Sequence, residues 1–151
     1  MKTTHRSLMG LAMVTIMALA MVIVGQHNVA QADDGCNAST IKGAYGFALD
    51  GLVSPSFIGQ PQQIDQFVPL AAAGTFSFDG QGTTSRSFTL SFGGAIFPGS
   101  DSGPYTVNPD CTVSATYSDG TWHMVIIGHG KEIKAMNTAP GTVVQGVLTR
   151  Q

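Results

Sequence analysis

Cys111-Thr112-Val113-Ser114-Ala115-Thr116-Tyr117-Ser118-Asp119-Gly120-Thr121-Trp122-His123-Met124-Val125-Ile126-Ile127 is the stretch that decides the fold. Cys111, Val113, Ala115 and Tyr117 alternate with Thr112, Ser114, Thr116 and Ser118, the period of two that a strand with one wet face requires. Asp119-Gly120 then supplies a two-residue hairpin signal, because glycine accepts the positive φ that such a turn demands. Thr121 to Ile127 returns as the partner strand, and if Trp122, Met124 and Ile126 point in, His123 points out.

The same grammar runs in both directions. Toward the N-terminus, Thr83 to Phe92 sets Ser85, Ser87, Thr89 and Ser91 against Arg86, Phe88, Leu90 and Phe92. Asp79-Gly80-Gln81-Gly82 joins it to a strand over Phe67 to Phe78, in which Phe76 and Phe78 share a face. Ser54 to Gln66, with Pro55 and Pro61, reads as a long loop, and Lys42 to Val53 as the first strand, with Tyr45, Phe47 and Leu49 on one side. Between these hairpins, Gly93 to Ser102 reads as a loop, Gly103 to Val107 as a short strand, and Asn108-Pro109-Asp110 as a turn. Downstream, His129-Gly130 turns into Lys131 to Asn137, and Ala139-Pro140-Gly141 turns into Thr142 to Arg150. No stretch sustains the three-and-four spacing of an amphipathic helix, so the chain is all-β: an antiparallel up-and-down barrel of about eight strands, with a two-sheet β-sandwich as the alternative.

Residues 1–32 read as a cleaved secretory signal peptide. Lys2 and Arg6 precede an uncharged apolar run from Leu8 to Val24, and Ala30-Gln31-Ala32 offers the small residues a signal peptidase reads. A retained anchor is the alternative, since that run lies at the bottom of the spanning range, but no stop-transfer charges follow it. Residues 33–151 then form one domain, secreted or periplasmic, long enough to bury a real core and with no stable membrane anchor after cleavage. From Asp33 on there are five Lys and Arg against nine Asp and Glu, a net charge of −4, and no basic stripe, which argues against nucleic acid or anionic lipid as partner. Cys36 and Cys111 both survive cleavage, and two thiols in an exported chain of this size read as a disulfide rather than a metal or redox pair. Acylation of Cys36 is disfavoured by Ala32-Asp33-Asp34-Gly35, which lacks an apolar residue three before the cysteine.

Gly103-Pro104-Tyr105-Thr106-Val107-Asn108-Pro109-Asp110-Cys111-Thr112, together with Lys42-Gly43-Ala44-Tyr45-Gly46-Phe47 and Pro140-Gly141-Thr142-Val143-Val144, resembles small exported bacterial β-barrel proteins. The resemblance covers nearly the whole mature chain and implies a compact barrel of lipocalin-like or allene-oxide-cyclase-like shape, export, and pairing of Cys36 with Cys111. It carries over no catalytic residue.

Tyr45, Phe47, Phe76, Phe78, Phe88, Phe92, Tyr105 and Tyr117 all fall on the apolar faces of their strands. Such rings either fill a short barrel or line a pocket in which phenolic hydroxyls fix the polar end of an apolar ligand. Arg86 is the anomaly, because it shares a face with Phe88, Leu90 and Phe92, where an unpaired guanidinium is costly. Either it reaches out at the barrel rim, or it caps a pocket and holds a carboxylate-bearing ligand. The residues to bet on for ligand binding are therefore Arg86, Tyr45, Phe88, Tyr105 and Tyr117.

Other chemistry finds little support. His123 and His129 lack a metal-binding spacing. Gly99-Ser100-Asp101-Ser102-Gly103 has an aspartate where a nucleophile elbow needs serine, and Asp50, Asp79, Asp119 and Glu132 offer no evident acid–base pair. Asn37-Ala38-Ser39 matches a glycosylation acceptor and is assigned no role. No catalytic residue, cofactor or metal is expected. The leading expectation is an exported barrel that binds a small apolar or amphipathic molecule without chemistry. A cofactor-free isomerase or cyclase of the barrel type is the first alternative. A structural or interaction protein of the cell envelope or matrix, a solid barrel acting through its Ser/Thr-rich outer faces and Pro-bearing loops such as Ser54 to Gln66, is the second.

Overall fold

In the computed structural model, which describes residues 35–54 and 67–151, eight antiparallel strands follow one another and close into a barrel. The strands are β1 (Gly43–Val53), β2 (Val68–Phe78), β3 (Thr83–Phe92), β4 (Ala95–Val107), β5 (Thr112–Tyr117), β6 (Gly120–Ile127), β7 (Glu132–Asn137) and β8 (Thr142–Arg150). Each pairs with its chain neighbours, and β1 pairs with β8 from Tyr45 opposite Arg150 to Val53 opposite Thr142. This is the up-and-down barrel the alternation predicts, and the sandwich alternative is not what forms. The signal expected over 1–32, and residues 55–66 of the expected long loop, lie outside the described residues.

Alternation dictates what fills the interior. Tyr45, Phe47 and Leu49 of β1, Val113, Ala115 and Tyr117 of β5, Trp122, Met124 and Ile126 of β6, Ile133 and Ala135 of β7, and Val144 and Leu148 of β8 are all buried. His123 is exposed between buried Trp122 and Met124, as the pattern requires. The rings interlock edge to face, with Phe78 between Tyr45 (centroids 5.6 Å apart) and Tyr105 (5.1 Å).

One segment departs from its sequence reading. Gly93 to Ser102 is not a loop: β4 begins at Ala95 and runs on through the expected short strand to Val107. Gly93 and Gly94, at φ +55° and +90°, make the reversal alone, a two-residue turn that only glycines enter cheaply. Pro98 and the glycines around it disguise the strand, since proline is tolerated only where its missing N–H faces no partner. Here the ladder between β4 and β5 covers Tyr105 to Val107 alone, so the Ala95 end of β4 pairs with β3 and is otherwise an edge. Gly103 makes the closure possible, because a Cβ there would overlap the Thr116 carbonyl oxygen of β5.

A second departure lies before β1, where Ala38–Ile41 forms one turn of 3-10 helix. Asn37, read from the sequence only as a glycosylation pattern, is its cap. Its Oδ1 accepts from the Ser39 N–H at 2.9 Å, while Thr40 Oγ1 accepts from the Asn37 N–H at 3.0 Å. The Arg150 guanidinium holds this turn to the barrel end, donating to the carbonyls of Thr40 (2.9 Å), Lys42 (2.7 Å) and Gly130 (2.9 Å) and to the Tyr45 hydroxyl (2.7 Å). Cys36 and Cys111 form a disulfide with Cα atoms 4.9 Å apart, tying the segment before the turn to the reversal between β4 and β5. A disulfide fits an oxidising compartment, outside the cell or in a periplasm.

The two ends of the barrel therefore differ. The end that carries the 3-10 turn, the disulfide and the reversals after β2, β4 and β6 is filled by buried Ile41, Tyr45, Phe78 and Tyr105, and is called the sealed end below. At the other end, β1 to β4, of 10 to 13 residues, overrun β5, β6 and β7, of 6 to 8.

Candidate functional site

Strand register places the inner face of that overhang residue by residue. Leu70 stands opposite Phe92; Ala72, Leu90 and Phe97 form one row; Gly74, Phe88 and Gly99 form the next. Leu70, Ala72, Phe88, Leu90 and Phe92 are only partly buried, and Phe97 is 50% exposed although it lies on the inward-facing side of β4. Gly99 carries no side chain because the Phe88 ring occupies its place. The result is an apolar wall rising past the shorter strands.

At the foot of the wall the next row sets Arg86 opposite Asp101. Arg86 is 6% exposed, so the rim reading is corrected: its guanidinium turns inward and is held by two carboxylates. Nε donates to Asp101 Oδ1 at 2.5 Å and Nη2 to Asp101 Oδ2 at 2.9 Å, a bidentate fork, and Nη2 also meets Asp119 Oδ1 at 2.8 Å. The plane lies 4.1 Å from the Tyr117 ring centroid and 5.3 Å from that of Phe88, with Trp122 at 5.9 Å. Neighbours lock the carboxylates in turn. Ser118 Oγ donates to Asp101 Oδ2 at 2.8 Å, and Trp122 Nε1 donates to Asp119 Oδ1 at 3.2 Å. Tyr117 donates to Thr84 Oγ1 at 3.0 Å.

Burial opposes charge on Arg86, but the bonds it donates to Asp101 and Asp119 outweigh this and raise its pKa further. Burial likewise pushes the Asp101 carboxyl up, yet the bonds from Arg86 and Ser118 win and hold it below the usual carboxylate range. A depressed folded-state value means stability that is present above the ordinary aspartate range and is lost as pH falls through the folded value. The stability difference between the native chain and Asp101→Asn is therefore expected to be largest near neutral pH and to shrink below about pH 4, read from urea midpoints across that range. A difference that stays constant down to pH 2.5 contradicts this.

The five residues singled out from sequence separate into two groups. Arg86, Phe88 and Tyr117 come together as described. Tyr45 and Tyr105 lie at the sealed end, each against Phe78. The Tyr45 hydroxyl donates to the Gly130 carbonyl at 2.7 Å, and that of Tyr105 accepts from the Gly80 N–H at 3.0 Å. Sequence reasoning missed Asp101, Asp119, Trp122 and Ser118. The signal for Asp101 was present: a two-residue turn at Gly93-Gly94 puts it directly across from Arg86. Asp79 binds the backbone N–H groups of Gln81, Gly82 and Thr83 in its own turn, and among the described residues no three His, Cys, Asp or Glu side chains gather into a metal-holding group.

No family model, curated protein or solved structure matches this chain.

Proposed function

We propose that this chain is an exported barrel of lipocalin-like design that takes a small apolar or amphipathic molecule against the wall at the end opposite the disulfide and performs no chemistry on it. The observation that carries the reading is the inner face of Leu70, Phe88, Leu90 and Phe92, all only partly buried, with Phe97 half exposed beside them, in a barrel whose other end is packed. Fully burying an exposed side chain of this kind is worth about 1.5–3 kcal/mol, and a ligand covering Phe97 and completing the burial of its neighbours gains a part of that at each. The leader-like first 32 residues and the disulfide support work outside the cytoplasm.

Native mass spectrometry of the protein from its own host, set against the mass after denaturation and extraction, is expected to show a retained small molecule. In a second measurement the neutral fluorescent probe N-phenyl-1-naphthylamine is expected to bind the native protein and to bind Phe97→Asp at least tenfold more weakly, with Tm unchanged because the ring is half in water already. Equal binding by Phe97→Asp removes the wall as the site.

A further inference from the structure

We propose that the polar end of the ligand at this site is a hydrogen-bond-donating cation, a primary amine on an apolar body, seated on Asp101 and Asp119. The inference rests on the binding reading above and names the ligand class for the same wall.

The charges at the foot of the wall do not cancel. Arg86 brings one positive charge and Asp101 with Asp119 two negative ones, so the group carries a net −1. Among the described residues nothing nearby offsets it. Lys42, Lys131 and Arg150 stand at the sealed end, and Lys134 is exposed on β7 between buried Ile133 and Ala135, hence on the outside of the barrel. The Asp101 fork is used up, each oxygen taking a guanidinium N–H and Oδ2 the Ser118 hydroxyl as well. Asp119 is different: Arg86 and Trp122 both converge on its Oδ1, and among the described residues no side chain or N–H donates to Oδ2, while the side chain keeps 29% of its exposure. A carboxylate oxygen that is already partly desolvated and has a free lone pair is an acceptor for an ammonium N–H.

Register ties this acceptor to the wall. Asp101, Gly99 and Phe97 alternate on one face of β4, so a head group at the carboxylates has its tail along Phe88, Leu90 and Phe97. The sequence pointed to an anion through Arg86. In the fold that guanidinium is already shared by two carboxylates, and an incoming anion meets a group of its own sign.

Three probes with the same twelve-carbon tail separate the possibilities: dodecylammonium, 1-dodecanol and dodecanoate, each titrated below its micelle concentration against the full mature protein loaded with N-phenyl-1-naphthylamine. Dodecylammonium is expected to displace the probe at a concentration at least tenfold lower than dodecanoate, with the alcohol between them. Asp119→Asn, which leaves the Arg86–Asp101 fork in place, is expected to bring the three within about threefold of one another while N-phenyl-1-naphthylamine still binds. Equal displacement by all three on the native protein, or a preference for dodecanoate, overturns the amine assignment and leaves the apolar wall standing. No displacement by any of them overturns both.

Discussion

Arg86→Ala is expected to unfold at markedly lower urea, with a loss of about 3 kcal/mol, the low end of what removing one partner from a buried ion pair costs, because both carboxylates keep some contact with water. The substitution does more than delete a charge. It leaves Asp101 and Asp119 facing each other without their shared cation, strands the Asp101 oxygens that had accepted two N–H bonds, and empties the space the guanidinium filled over Tyr117. Like charges brought together and a cavity beneath an aromatic ring act in the same direction. A triple variant, Arg86→Met with Asp101→Asn and Asp119→Asn, removes the unpaired charges along with the guanidinium and is expected to recover most of the loss. If Arg86→Ala costs under 1 kcal/mol, or the triple variant is as unstable as the single one, the network is not a coupled unit and the account of the site fails.

Reducing the disulfide is the larger perturbation. Cys36 and Cys111 are separated by 75 residues, for which chain entropy assigns roughly 4 kcal/mol to the bridge as an upper figure. At about 4 °C of Tm per kcal/mol for a chain of this size, the reduced protein is expected to melt about 15 °C lower. The position of the bond adds a local effect. Cys111 sits in the reversal between β4 and β5 at φ +66°, where its N–H donates to the Asn108 carbonyl, and Cys36 leads directly into the Asn37 cap. Hydrogen exchange on the Cys36→Ser/Cys111→Ser variant is expected to rise first in Ala38–Ile41, whose tether on one side is gone, while β6 and β7 stay protected. Uniform loss of protection across the barrel, or a Tm shift under 3 °C, contradicts that assignment.

Much of this architecture was legible because alternation and turns agree. Ser85, Ser87, Thr89 and Ser91 could face only water if Phe88 and Leu90 were to be buried, and Asp119-Gly120 could only reverse the chain between two such strands. The β4 strand was hidden for a physical reason. Pro98 and Gly99 lower strand propensity everywhere except on an edge, and being an edge is a property of how far β5 reaches, not of β4's own residues. The 3-10 turn was too short for any periodicity, although the Asn37 and Thr40 side chains that cap it are visible three apart. Arg86 stood out in the sequence as a charge on an apolar face, but its partners did not. One lies across a hairpin whose turn was misplaced, and the other lies in a turn that looked complete in itself.

The pairing of β1 with β8 sets an order of events. Seven of the eight ladders join strands that are neighbours in the chain, six of them through connections of two to four residues and β1–β2 across residues 54–67. The eighth joins residues about a hundred apart, Tyr45 with Arg150 at one extreme and Val53 with Thr142 at the other. Until β8 has been delivered, β1 has no second neighbour and its inward Tyr45, Phe47 and Leu49 have no closed interior to occupy. A chain delivered N-terminus first, as in synthesis, therefore carries an open, sticky sheet edge until the last strand arrives and Arg150 locks onto Lys42 and Thr40 like a clasp.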